Sequence, residues 1–159
     1  IIFLVLLSNS IAEEISGIPK VVDGDTIHIN NYKFRLEGID APEMKQQCKK
    51  ESFKISFLIG FTFYKNYSCG RVSKEELITK INTSEIKCIS SSKDRYKRYI
   101  ATCFKGKTNL NQWMVRNGFA IAYRRYSKTY VSDEEFAKEN KLGLWKGKFM
   151  EPEKWRKLN

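Results

Sequence analysis

The sequence predicts an α+β fold, a small β-barrel whose helices enter late in the chain, and three observations predict it. Apolar and polar residues alternate through Ile27–Ile29 and Tyr32–Leu36, the period of a half-buried strand pair. A second pair, Ile86–Ile89 and Tyr99–Phe104, brackets a polar stretch from Ser91 to Lys97. Helical spacing begins only near Lys74. At 159 residues the chain matches one ordinary domain with a single core, placed at residues 16–150 with a tail at 151–159.

The first element is the hairpin. Asn30 and Asn31 separate its strands, and asparagine tolerates the positive φ that a two-residue turn demands. A loop over Gly38–Glu43 follows, since Gly38 is permissive and Pro42 biases Ala41 away from helix. The span from Cys48 to Cys69 is rich in Phe and Ile and reads as a short amphipathic helix or a strand over the barrel. A membrane-touching patch is the alternative, opposed by the flanking Lys49, Lys50, Lys54 and Lys65. Ser73 and Glu76 form a capping-box pattern for a helix from about Lys74 to Ile81, with Leu77, Ile78 and Ile81 as its apolar stripe.

Cys88 and Cys103 lie symmetrically about the second turn and could close a disulfide across it, which leaves Cys48 to pair with Cys69. Leu110, Trp113 and Met114 space as a helix with Asn109 as N-cap and Gly118 as its stop. A last helix runs from about Ser132 to Lys141, capped by Ser132 or Asp133. Five strands with about three late helices suggest a barrel of the OB kind.

Ile1–Leu7 is an apolar run followed by Ser10, Ile11 and Ala12, so residues 1–12 read as the remnant of a signal peptide cut after Ala12. An N-terminal strand or uncleaved anchor is the alternative. Seven residues cannot cross a bilayer, which takes roughly 20. An even number of cysteines suits the oxidising compartment that export implies, secreted or periplasmic. No C-x-x-C pair occurs and His28 is the only histidine, which disfavours zinc.

Lys and Arg outnumber Asp and Glu by 29 to 18, and a net charge of +11 favours a polyanionic partner. Against that background four carboxylates stand out. Asp23 and Asp25 flank Gly24, and Asp40 and Glu43 lie in the Pro-containing loop. Such hard oxygen donors suit Ca²⁺ or Mg²⁺, although the spacing is not that of an EF-hand. Arg35 and Arg98 offer guanidinium forks that match phosphate oxygens. Tyr123, Arg124, Arg125 and Tyr126 interleave charge with rings, which serves backbone contacts and base stacking, or else an amphipathic strand with its tyrosines inside.

Five segments in order, Val22–Ile27, Phe34–Glu43, Asp94–Arg98, Ala122–Tyr123 and Lys141–Trp145, resemble the staphylococcal nuclease-like (thermonuclease) family. The resemblance implies a five-stranded OB barrel with three helices, one Ca²⁺, and an extracellular endonuclease acting on DNA and RNA; a monomer with no stable protein partner is the separate expectation. Carried over by position, Asp25 and Asp40 look like the calcium carboxylates, with the Ala41 carbonyl beside them. Arg35 and Arg98 correspond to phosphate-binding arginines, Glu43 to the general base, and Tyr96 and Tyr123 to nucleotide contacts. The family's best-known member differs at three places. It has threonine where this chain has Ala41, glycine where it has Lys97, and neither the cysteines nor the apolar insertion after Glu43. The rival readings are a non-catalytic OB module for single-stranded nucleic acid and a basic envelope-associated protein.

Overall fold

A computed structural model describes residues 12–55 and 61–159. Residues 1–11 of the expected leader and the apolar Phe57, Leu58 and Ile59 lie outside the described residues. The first strands are β1 (Glu13–Gly17), β2 (Lys20–Val21), β3 (Thr26–Ile29), β4 (Tyr32–Leu36) and β5 (Ile39–Asp40). The segment between the first cysteines forms β6 (Gln47–Ile55) and β7 (Phe61–Ser68), then comes α1 (Cys69–Ile81). The second half contains β8 (Ile86–Lys93), β9 (Tyr99–Lys105), β10 (Thr108–Asn109), α2 (Leu110–Arg116), β11 (Ile121–Ala122) and α3 (Val131–Glu139). A 3-10 turn at Gly143–Lys146, β12 (Gly147–Lys148) and α4 (Pro152–Leu158) complete it.

The main sheet has the order β1-β8-β9-β4-β3-β2, with β10 joined to β9. Its five strands of four or more residues are β1, β3, β4, β8 and β9, which matches the expected barrel. All pair antiparallel except β4 with β9, where Phe34 faces Tyr99 in a parallel ladder. The sheet curls back on itself. Gly17, at the end of edge strand β1, lies so near β3 that a Cβ there would sit 2.6 Å from Ile29 Cγ2.

Alternation decides which side chains fill the curl. Ile27, Ile29, Phe34, Leu36, Ala101 and Cys103 are at most 1% exposed, and Leu77 of α1 with Leu110, Met114 and Val115 of α2 closes over them. Each fully buried aliphatic or aromatic side chain adds about 1.5–3 kcal/mol, so this face holds the barrel together. Asn30 adopts φ 52° at the β3–β4 turn, as an asparagine can. Cys88 and Cys103 are directly opposed across β8 and β9 and form a disulfide, with Cα atoms 4.1 Å apart. Cys48 and Cys69 form the other, tying the start of β6 to the start of α1. Closing loops of this length stabilises a fold by about 3 kcal/mol on the chain-entropy estimate.

Four elements differ from expectation. Among the described residues the Cys48–Cys69 span is extended, the strand alternative rather than the helix, but as two paired strands, β6 and β7, in a separate three-stranded sheet with β12. Helix α1 starts at Cys69, five residues before the expected start, and Ser73 lies inside it. The Ser73 hydroxyl donates to the Phe119 carbonyl at 2.7 Å, a tertiary bond that replaces the capping box. Helix α3 begins at Val131 rather than Ser132, with no side-chain cap. Asp133 instead accepts from Gln112 and Arg116, joining α3 to α2. The tail is helical over Pro152–Leu158, which makes four α-helices among the described residues where about three are expected. Asn109 does cap α2, accepting from the Gln112 N–H at 3.1 Å. No helix among the described residues is long and apolar enough to cross a membrane.

Candidate active site

The β2–β3 turn builds the first wall. Asp23 Oδ1 accepts the Asp25 N–H at 3.0 Å, and Val22 N–H reaches the Thr26 carbonyl at 2.9 Å. Gly24 is required at this turn, because a Cβ would collide with the Ser73 hydroxyl and the Ala41 methyl. Asp25 is thereby turned inward, where its Oδ2 accepts the Ala41 N–H at 2.8 Å. Burial, with the Asp25 carboxylate beside it, pushes the Asp23 carboxyl up to about 6.

Arg35 stands opposite Thr26 in the β3–β4 ladder, and its side chain is only 12% exposed. Its Nη1 is ion-paired with Asp25 Oδ2, and its Nη2 meets Asp40 Oδ1 at 3.1 Å. One guanidinium therefore gathers both expected metal carboxylates. Asp40 is fully buried on β5, which pairs with β11. Burial raises its carboxyl in spite of the arginines around it.

Glu43 follows in a tight turn, with the Gln46 N–H donating to its carbonyl at 2.7 Å. Gly70 lets α1 start against that carbonyl, which a Cβ would strike. The Cys48–Cys69 bridge fixes the same corner. The Glu43 side chain is 37% exposed, and its Oε1 accepts from Arg156 Nη1 at 2.9 Å. Arg156 Nη1 also meets Asp40 Oδ1 at 2.9 Å, and its Nη2 meets Asp40 Oδ2 at 3.0 Å. The guanidinium of Arg156 is held well above its ordinary range; burial opposes this, but the bonds to Asp40 and Glu43 prevail.

Arg98 approaches from the β8–β9 turn. Asp94 Oδ1 accepts the Tyr96 and Arg98 N–H groups at 2.9 Å each, while its Oδ2 takes Arg98 Nε and Nη2 at 2.8 Å. Lys97 adopts φ 62°, the left-handed conformation a glycine enters more easily. Held from one edge, Arg98 directs Nη1 toward Thr26 Oγ1 at 3.5 Å, beside Asp25. Tyr96 is 62% exposed with Arg95 and Arg98 against its ring. Tyr123 reaches the site because β11 pairs Ile121 with Asp40 and its own N–H donates to the Gly38 carbonyl at 2.9 Å. The buried Glu134 supports this segment, accepting from Ala122 N–H and pairing with Arg124 and Lys138.

Asp25, Arg35 and Asp40 thus form one connected set, joined to Glu43 through Arg156, with Arg98 at its edge and Tyr96 and Tyr123 flanking it. The sequence reading missed Arg156 and the tethering role of Asp94. The only signals for α4 were Pro152 at a helix start and Glu153 four residues before Lys157. Among the described residues no group of three or more His, Cys, Asp or Glu side chains converges on one point. Asp25 and Asp40 are hard oxygen donors here, and each is ion-paired with Arg35. A cleft of about 150 Å³ lies between Asp40, Tyr123, Glu134 and Glu153. A larger one of about 360 Å³, between Tyr67, Phe119 and Leu144, touches none of the site carboxylates or arginines.

A family model described as staphylococcal nuclease homologue matches residues 33–147, more than half of the chain. A succinoglycan biosynthesis protein, ExoI, of Rhizobium meliloti is 34% identical over 85% of this chain and 66% of its own length, just under two thirds. An uncharacterized endonuclease of Haemophilus influenzae is 31% identical over 99% of this chain and 81% of its own length. A micrococcal nuclease of Shigella flexneri is 28% identical over 89% and 80%, respectively.

Proposed function

The chain belongs to the staphylococcal nuclease homologue family, and on that premise we propose that it is an exported, monomeric, calcium-dependent endonuclease that hydrolyses DNA and RNA. The observation that carries this reading is the connected set Asp25–Arg35–Asp40, joined to Glu43 through Arg156, with Arg98 facing it across Thr26. A single-strand-binding surface needs basic and aromatic groups, but gives no reason to bury two carboxylates beside them. The two disulfides support an oxidising destination. The endonuclease and micrococcal nuclease names of two relatives support the reaction class.

Asp25, Asp40 and the Ala41 carbonyl would hold calcium, which when bound supplies positive charge against the phosphate oxygens. Arg35 and Arg98 bind the phosphodiester and stabilise the charge that grows on its oxygens as phosphorus becomes five-coordinate. Glu43, the partly exposed acid, accepts a proton from the attacking water as the water oxygen bonds to phosphorus. The bond from phosphorus to O5′ breaks, leaving a 3′-phosphate, and solvent protonates the departing oxygen. Tyr96 and Tyr123 stack on or flank the nucleotide, each stacked base contributing about 1–3 kcal/mol to binding.

Substituting Glu43 by glutamine tests the assignment. Glu43→Gln keeps shape and removes the proton acceptor, so turnover falls by about 10²-fold or more while the unfolding midpoint stays put. Cutting at the wild-type rate would show that Glu43 is not the base.

A further inference from the structure

Helix α4 lies beyond the matched residues 33–147, yet it delivers a charged group into the centre of the site. It is fastened at three points. Gln46, fully buried, donates from Nε2 to the Met150 carbonyl at 2.7 Å, just before the helix. Pro152 is buried at its first turn. Arg125, two residues beyond Tyr123, pairs with Glu153 at 2.7 Å. Arg156 then occupies both oxygens of Asp40 and one of Glu43 with a single guanidinium.

This arrangement conflicts with inner-sphere cation binding at the same carboxylate. Asp40 has two oxygens, and Arg156 takes one bond on each while Arg35 takes a further bond on Oδ1. A divalent cation needs a carboxylate oxygen at about 2.3–2.6 Å, and it would face a fixed positive charge across that same oxygen. Arg156 also holds Glu43, the group that must be free to meet water. With 34% of its side chain exposed, Arg156 has room to leave.

We propose that Arg156 is a positioning residue of this nuclease, an internal guanidinium that competes with the cation for Asp40 and keeps Glu43 engaged until the cation displaces it. Cation loading and release of the α4 strap are then one exchange. Each cation bound at Asp40 frees one guanidinium, and the site never carries its buried carboxylates uncompensated. The proposal rests on the reading of Asp40 as a cation ligand.

Calorimetric titration of calcium chloride into the full chain, without nucleic acid, tests the exchange apart from catalysis. Arg156→Ala should bind calcium about tenfold more tightly than wild type, because the displaced contacts are charge-assisted hydrogen bonds at a partly exposed site. Arg156→Lys should fall between the two, since an ammonium keeps the charge but lacks the planar fork. Arg125→Ala, which loosens the strap without touching Asp40, should shift affinity the same way by a smaller factor, and it serves if Arg156→Ala fails to fold. Equal or weaker calcium affinity in the folded variants would overturn the competition and leave the nuclease assignment intact. No calcium binding by wild type or variants at millimolar concentration would overturn both.

Discussion

Replacing Asp23 by asparagine should stabilise the protein at pH 8 and change little at pH 4. The folded state holds this carboxyl near 6 against an ordinary value of 3.8, through burial and the Asp25 charge. A raised acid is a group the fold prefers protonated, so its cost is absent below 3.8, grows between 3.8 and 6, and is complete above 6. The rise from 3.8 to about 6 sets the full cost at about 3 kcal/mol, since each tenfold change in proton affinity is worth about 1.4 kcal/mol. The substituted amide would still offer its oxygen to the Asp25 N–H, so the turn survives while the charge goes. Urea unfolding in the presence of chelator should show Asp23→Asn gaining about 2–3 kcal/mol at pH 8 and close to nothing at pH 4, with an unchanged m-value. Equal gains at both pH values, or a loss at pH 8, would refute the reasoning.

Three further variants test contacts of the site and the core. Arg98→Ala should lower turnover about 10²–10³-fold, the scale of losing one donor aimed at developing charge. Asp94→Ala should lower it by a smaller factor, since Arg98 remains but loses the carboxylate that holds Nε and Nη2; steady-state kinetics of both variants would reveal a wrong order. Buried Asn111 accepts from the Cys103 N–H and donates to the Glu37 and Ala101 carbonyls. Asn111→Asp removes both donations and buries a charge, so it should cost about 3 kcal/mol or more in urea unfolding. An unchanged midpoint would contradict that accounting.

Much of the barrel is legible in the residues because its signals are local. Period-two alternation locates β3 and β4, asparagine marks their turn, and the symmetry of Cys88 and Cys103 about a polar stretch gives their pairing. Site residues on or between these strands were therefore placeable. The β6–β7 hairpin was not, because a dense run of Phe and Ile has no clear period and fits helix or strand equally. Ser73 and Asp133 misled for a shared reason. Both are residues that favour helix starts, but tertiary partners, the Phe119 carbonyl for one and Gln112 with Arg116 for the other, bind them more completely than a cap would. Arg156 lies 116 residues from Asp40 in sequence. No pattern within one segment could report a contact of that range.

The most direct test of the central claim is to incubate folded wild-type protein with single-stranded DNA, duplex DNA and RNA, with calcium or with chelator, following binding and chain scission in parallel. Calcium-dependent scission, abolished by chelator and leaving 3′-phosphate ends, is the predicted result. Tight binding of single strands with no scission at any calcium concentration would contradict it and make the chain a binding module on the same barrel.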